Sequence, residues 1–299
     1  MLSFRHQVFF EVANLLSFTK ASQVLNLSQP AISKHIKALE ELYKTSLFER
    51  IGGGIKLTTQ GQILLSHLQQ AREIQIRLEY ELSTQQDEYN AKGALRLGAS
   101  TTVTLYIIPE ILSAFRRKYP NVHITLLNRN SENVLAALSK NEIDLGIIEG
   151  ETKTTSISYK YFLSDEVIVV CSPKSELWHR ESIGLHELRN FPVALRERGS
   201  GTLASVKSAL EERDFKLSDL KNNISLSGTE ALKNFLIVDD CIGFLPLRSV
   251  QKELAAGTLK QVFVDGLHIS RQFFFIQRHG SENDPFSQAF VRFASNVIT

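Results

Sequence analysis

Apolar residues over the first forty positions recur at three- and four-residue spacing in three short runs. Phe4, Val8, Phe9, Val12, Leu15 and Leu16 form the first, with Arg5, His6, Gln7 and Glu11 between them, and predict an amphipathic helix. The triplet 17–19 interrupts the pattern, and Thr19 is expected to cap a second short helix carrying Ala21, Val24 and Leu25. After a tight connection at Asn26 and Leu27, Ser28 is expected to cap a third helix. Pro30 is tolerated in its first turn because the missing N–H would be unpaired there in any case. On this helix Ile32, Ile36 and Leu39 make the inward stripe, which turns Ser33, Lys34 and Lys37 outward. The stretch SLFERIGGGIKLT predicts two short strands around a glycine turn.

From Thr58 onward the spacing lengthens into one long helix, from about residue 60 to about residue 87. Leu64, Leu68, Ala71, Leu78 and Leu82 fall on a narrow seam, as in coiled-coil pairing; packing on its own domain is the alternative. Residues 89–93 read as a hinge. Beyond them short apolar runs alternate with helical ones. Strands are expected at residues 94–100, 122–128 and 144–148, with helical stripes through Leu105, Ile108, Leu112 and Phe115 and through 134–138. Further strands are expected at 166–171, 193–195, 242–245 and 271–276. This alternation is that of a doubly wound α/β lobe.

Length and composition narrow the class. At 299 residues the chain suits two domains, and 43% hydrophobic with 22% charged residues is ordinary globular composition. Cys171 and Cys241 make neither a disulfide framework nor a CxxC pair. The N-terminal sequence lacks the marks of a secretory signal and no segment has the apolar length of a membrane span, so a cytoplasmic protein without membrane contact is expected. The overall balance of 34 basic and 32 acidic residues says little about partners. Its distribution says more: residues 1–65 hold seven Lys and Arg against four acids.

Two short helices joined by a tight turn, the second opening on small polar residues and carrying lysines outward, make a helix-turn-helix. Serine and glutamine at its start suit base edges, and its N–H groups and lysines suit phosphates. The hairpin after it would be a wing, with Arg50 and Lys56 reaching the DNA backbone. A helical domain with a merely solvated lysine face remains the alternative. In the second part, ligands of an α/β sheet collect beyond the carboxyl ends of strands. Ser100, Thr101 and Thr102 lie at one such place, and Arg196 with Ser200, Gly201 and Thr202 at another. Both suit a small carboxylate or other small anion, and both could be ordinary capping turns. Catalysis finds no support: there is no GxSxG elbow, and the eight histidines include no HExxH or other metal-site spacing. No cofactor or metal is expected.

The stretch SFTKASQVLNLSQPAISKHIKALEELYKTSLFERIGGGIKLTTQG resembles the N-terminal domain of the LysR-type transcriptional regulators. That family carries F-T-x-A-A-x-x-L-x-x-S-Q-P-A-x-S-x-x-I-x-x-L-E, then L-F-x-R, then a wing ending in L-T-x-x-G. Every anchor is present except that Ser22 replaces the second alanine, and the wing has glycines where arginines are common. The later motifs resemble the family's effector-binding half: Gly98–Ala99–Ser100, the Y-x-x-P ending at Pro109, the F-x-x-x-Y-P ending at Pro120, Asp144–Leu145–Gly146–Ile147, and R-x-x-G-S-G-T from Arg196 to Thr202. Two departures are Thr104 in place of a common glycine and Leu203 in place of a common arginine, which weakens the case for a strongly anionic effector.

The resemblance implies an all-α winged helix-turn-helix (1–58), a linker and dimerisation helix (59–88), a hinge (89–92) and a two-lobed α/β domain like periplasmic solute-binding proteins (93–299). Its lobes would be about 93–163 with 266–299, and 164–265. Thr19, Ser28, Gln29, Ala31, Ser33, Lys34, Lys37, Arg50 and Lys56 would meet DNA. Ser100, Thr101, Thr102, Arg196, Ser200, Gly201 and Thr202 would line an effector cleft. The implied partners are a partly palindromic double-stranded DNA site, a second copy of the chain in a dimer or dimer of dimers, and RNA polymerase.

Overall fold

A computed structural model of the chain describes residues 3–52, 54–84, 92–150 and 154–298, which fall into two compact units, Met1–Gln86 and Asp87–Thr299. In the first unit the helices α1 (Phe4–Leu15), α2 (Phe18–Val24) and α3 (Gln29–Tyr43) precede a hairpin of β1 (Phe48–Ile51) and β2 (Gly54–Leu57). Helix α4 (Thr59–Thr84) follows. Val8, Phe9, Val12, Ala21, Ile32, Ile36 and Leu39 bury together, with Leu47 just before the hairpin and Leu68 from α4. Phe9 and Phe18 both pack on Phe48, at 5.3 and 5.9 Å between ring centroids.

The local chemistry explains the motif. Ser28 is the N-cap of α3, its hydroxyl accepting from Ala31 N at 3.4 Å. Asn26 takes the left-handed conformation (φ 54°) that the tight connection needs. Glu40 accepts a hydrogen bond from Leu47 N at 2.8 Å, and Thr58 Oγ1 accepts from Gly61 N at 3.0 Å while donating to Ser46 O at 2.7 Å. A Cβ at Gly61 would overlap the Leu47 carbonyl oxygen, so the glycine is what lets α4 approach the wing. Helix, wing and linker are thus locked around Leu47.

Two expectations change. Ser17, not Thr19, caps α2: the chain is extended at Ser17 (φ −155°, ψ 118°) after left-handed Leu16, and its hydroxyl accepts from Lys20 N at 3.2 Å. Thr19 lies within the first turn and is exposed. Phe4, Leu16 and Val24, assigned to inward stripes, stay exposed because each sits at a helix end beyond the reach of the core. Gly53 in the wing turn and residues 89–91 of the expected hinge lie outside the described residues.

The second unit is built on one main sheet. In the first lobe β3 (Gly93–Ala99) runs parallel to β4 (Val122–Asn128) and β5 (Leu145–Glu149), with α5 (Thr101–Tyr106), α6 (Ile108–Lys118) and α7 (Ser131–Ser139) between them. In the second lobe β8 (Pro192–Arg196) runs parallel to β9 (Lys221–Leu226) and β10 (Ile242–Pro246), with α8 (Gly201–Glu211), α9 (Thr229–Val238) and α10 (Leu247–Ala256). Two long antiparallel strands join the lobes, β6 (Ile157–Cys171) and β12 (Ile269–Arg278). β6 pairs with β10 on one side and β12 pairs with β5 on the other. Helix α11 (Pro285–Ile298) returns to the first lobe, where Phe290 meets Phe115 at 5.1 Å.

The stripe from Leu105 to Phe115 is two helices, because the chain breaks at Ile107 and Pro109 opens α6. The sequence reading missed β9 and two edge pieces, β7 (Ser182–Gly184) and β11 (Lys260–Asp265). β9 runs KNNISL at the edge of the sheet with four of its six positions polar, so the alternation there is weak. Cys171 and Cys241 sit on opposite faces of the sheet, one packed with Val167 and Val169, the other with Ile168 and Val170.

Candidate functional site

The first unit presents a continuous polar surface at the start of α3. Ser28, Gln29, Ser33, Lys34 and Lys37 are exposed and Ala31 is half-buried, while Ile32, Ile36 and Leu39 hold the helix to the core. A groove of about 440 Å³ separates this helix start from the wing, lined by Leu16, Ser17, Phe18, Thr19, Gln29, Arg50, Gly54 and Ile55. Thr19, Gln29 and Arg50 therefore converge on one concavity. Lys56 does not join them freely. It pairs with Glu49 across the hairpin at 2.7 Å, both side chains half exposed. That pair is weak in water and can be exchanged for a phosphate.

In the second unit the carboxyl ends of the strands of both lobes face one another. The first lobe contributes Ser100 after β3, Asn130 and Ser131 after β4, and Glu149 at the end of β5. The second contributes residues 197–202 after β8 and Gly228 with Thr229 after β9. The lobes touch here. Glu132 N donates to Gly199 O at 3.3 Å, Asn130 Nδ2 to Arg198 O at 3.4 Å, and Tyr106 donates its hydroxyl to Glu230. Lys233 lies 5.8 Å from the Tyr106 ring centre and binds Glu230 and Glu253, each at 2.9 Å. Burial pulls the Lys233 ammonium down, and the hydrogen bonds it donates to Glu253 and Glu230 outweigh it, holding it above its ordinary range.

Ser100 occupies the N-cap position of α5 with the usual extended backbone (φ −61°, ψ 157°), yet its hydroxyl caps nothing. Ser100 Oγ and Thr102 Oγ1 are both buried and have no hydrogen-bond partner in the protein. Buried hydroxyls are normally satisfied, so these two stand out. Thr101 is half-buried beside them. Across the cleft Ser200 caps α8 through Leu203 N, Gly201 packs on Glu149, and Thr202 Oγ1 accepts from Arg271 at 2.8 Å.

Arg196 is not part of this set. Its guanidinium is buried and spent on Glu197, at 2.8 and 3.1 Å, and on Thr229 Oγ1 at 2.8 Å. It ties β8 to the start of α9. Burial raises the Glu197 carboxyl, and the bond from Arg196 more than reverses this, leaving it below its ordinary range.

Sequence reasoning missed the cation that does reach the cleft. Arg271 lies on β12 with its side chain 1% exposed. It binds Asp165 on β6 at 2.6 Å, Glu149 at 3.1 Å and Thr202. The signal was present as a lone arginine two residues before the apolar run FFFI, opposite an acid in another apolar strand.

With this geometry established, comparison with known proteins is decisive. Residues 5–62 match the family model "Bacterial regulatory helix-turn-helix protein, lysR family", and residues 90–298 match "LysR substrate binding domain". The chain belongs to the LysR family. It is similar to the HTH-type transcriptional activator CmpR of Synechocystis, 30% identical over 285 residues, covering 95% of this chain and 92% of the relative. Its fold matches full-length CbnR complexed with its target DNA (TM-score 0.64, 18% identity, 100% of each chain). It also matches the regulatory domain of Synechocystis CcmR in complex with 2-PG (TM-score 0.62, 25% identity, 69% of this chain and 97% of that one).

As a LysR-family regulator the chain is a DNA-binding transcription factor and not an enzyme. It has an N-terminal winged helix-turn-helix and a C-terminal two-lobed α/β effector-binding domain, and it belongs to a family that oligomerises. Among the described residues no helix is long and apolar enough to cross a membrane.

Proposed function

We propose that the chain reads a partly palindromic operator with the start of α3 and responds to a small organic acid bound between the lobes. Ser28, Gln29, Ala31, Ser33, Lys34 and Lys37 would enter the major groove, with Thr19 and Arg50 on the flanking phosphates and Lys56 released from Glu49 to join them. Functional boundaries at 1–58, 59–88, 89–92 and 93–299 suit this division, with lobes of about 93–163 plus 266–299 and of 164–265.

Subunits would pair through the outer part of α4. Its inner turns are used at home, Leu68 being buried in the first unit's core, while Ile74 and Leu78 are 64% and 53% exposed. Pairing two small readers doubles the site read, as a palindrome requires. Dimers would then assemble in pairs where the operator holds two such sites.

The observation that carries the effector reading is the pair of buried, unpartnered hydroxyls at Ser100 and Thr102. Thr101, Ser200, Gly201 and Thr202 complete the lining, and Arg196 is left out because its buried guanidinium is bonded to Glu197 and Thr229. Occupancy would change how the lobes sit and so how the paired subunits bend DNA or meet RNA polymerase. CcmR binds 2-PG in its solved complex, which makes small organic acids the first compounds to test.

The test is calorimetry on the full chain with small carboxylates and sulfur and nitrogen metabolites, repeated with Ser100→Ala and Thr102→Val. Each binder is then carried into operator footprinting and transcription in vitro. A ligand that loses affinity in the variants and shifts the footprint supports the reading. Binders that leave footprint and transcription unchanged would leave an effector-independent regulator whose second domain serves oligomerisation.

A further inference from the structure

The cleft contains an anion-binding arrangement that the protein fills with its own carboxylate. Glu149 ends β5 in the first lobe, its side chain 3% exposed. Its Oε1 accepts from Arg271 Nη1 at 3.1 Å, and its Oε2 accepts from Ser131 Oγ. The same Oε2 rests on Gly201, the first residue of the eleven-residue helix α8, where a Cβ would overlap it. Thr202 shares the Arg271 Nη1 donor, at 2.8 Å. The buried guanidinium and the Ser131 hydroxyl both donate to the carboxylate, and the first residue of α8 packs against it, an arrangement of the kind proteins use for sulfate, phosphate and carboxylate groups.

The charges here balance without a ligand. Arg271 is shared by Glu149 and Asp165, and Asp165 also takes Arg248 Nε at 3.1 Å. A second anion brought to this end would meet Glu149 in a site with little water, where like charges repel strongly. The other end of the cleft differs. Ser100 and Thr102 present free hydroxyls and no acid is bonded to them.

We propose that Glu149 acts as an internal anion that sets the charge specificity of the cleft. The effector is then a mono-acid whose acidic end meets Ser100 and Thr102 and whose far end offers Glu149 a hydrogen-bond donor, a hydroxyl or an ammonium. Molecules acidic at both ends are rejected. This deepens the effector reading above and rests on it for the identity of the ligand, but the α8 cradle can be tested without that reading.

The test uses inorganic sulfate as the probe, at fixed ionic strength, on the full chain carrying Ser100→Ala and Thr102→Val to silence the other end. With Glu149 in place no sulfate binding is expected by calorimetry. Adding Glu149→Ala, or Glu149→Ser, should create one sulfate site per chain, with affinity at least about tenfold above the parent, and adding Thr202→Val should weaken it. A variant that keeps the parent's cooperative thermal transition yet gains no sulfate site overturns the proposal. So does unfolding of both Glu149 variants, since Glu149 would then be a structural counter-ion rather than a replaceable occupant. If the effector reading alone is wrong, the sulfate gain persists while no organic acid binds the unmodified chain.

Discussion

Asp165 and Arg271 stand directly opposite each other on the two strands that join the lobes, and Arg271 Nε and Nη2 both donate to Asp165 Oδ2, at 3.2 and 2.6 Å. The pair is the pivot of the cleft: Asp165 holds the guanidinium so that its remaining donor reaches both Glu149 in one lobe and Thr202 in the other. Both side chains are buried, so neither charge is hydrated if the other is removed. Asp165→Ala should cost about 3–5 kcal/mol of stability in urea unfolding. Arg248→Ala, which removes a half-exposed partner of the same carboxylate, should cost far less. Equal losses in the two variants would contradict the buried pair as the dominant contact.

Lys34 is exposed on α3, away from the stripe of Ile32, Ile36 and Leu39. Lys34→Ala should weaken operator binding and lower the slope of log affinity against log salt by about one, with no change in the thermal transition. Titrations at several salt concentrations measure both. An unchanged slope would remove Lys34 from the phosphate contacts.

Ile74 and Leu78 lie four residues apart on the outer half of α4, and both are exposed in the single chain. Introducing Ile74→Asp with Leu78→Asp should convert the dimer to a monomer in light scattering and reduce operator affinity by at least about tenfold. The effector domain should melt as before. A dimer that survives the double change pairs elsewhere.

Burial pushes the Cys171 thiol up to about 11, and burial with the neighbouring Asp239 carboxylate pushes Cys241 up to about 12. Thiolates are therefore scarce at neutral pH, and the folded chain should resist alkylation that the unfolded chain undergoes readily. The linkage has a definite sign. Both thiols stay protonated in the fold above their ordinary value of 9.0, so their contribution to stability is complete below pH 9 and lost as the pH rises through about 11 for Cys171 and about 12 for Cys241. Denaturation midpoints measured from pH 8 to 11 check this. Lying on opposite sheet faces, the two cysteines should also give no intramolecular disulfide under oxidation.

Local chemistry made much of the first unit legible in the sequence. The cap at Ser28, the inward stripe of α3 and the wing strands each depend on residues near one another in the chain, and spacing reports such interactions well. The cap of α2 was misplaced by two residues because Ser17 and Thr19 are both good caps, and only the backbone turn at Leu16 chooses between them. Gly61 was visible as a motif letter, but its reason, the approach of Leu47 from fourteen residues earlier, is a contact and not a pattern.

The cleft divides in the same way. Ser100, Thr102 and Thr202 could be found because loops after strands are where ligands bind in α/β sheets. Their chemistry could not. Arg196 and Arg271 look alike as letters beside apolar strands. Packing alone sets one against Glu197 and Thr229 and aims the other, across residues 69 to 122 positions away, at Thr202, Asp165 and Glu149. The sequence by itself determined the two-unit organisation, the reading helix and the family, since these follow from short-range periodicity and a long spaced motif. Only the tertiary structure decided which buried charge faces the cleft, because the free energy of a buried ion depends on partners that the chain brings together through folding.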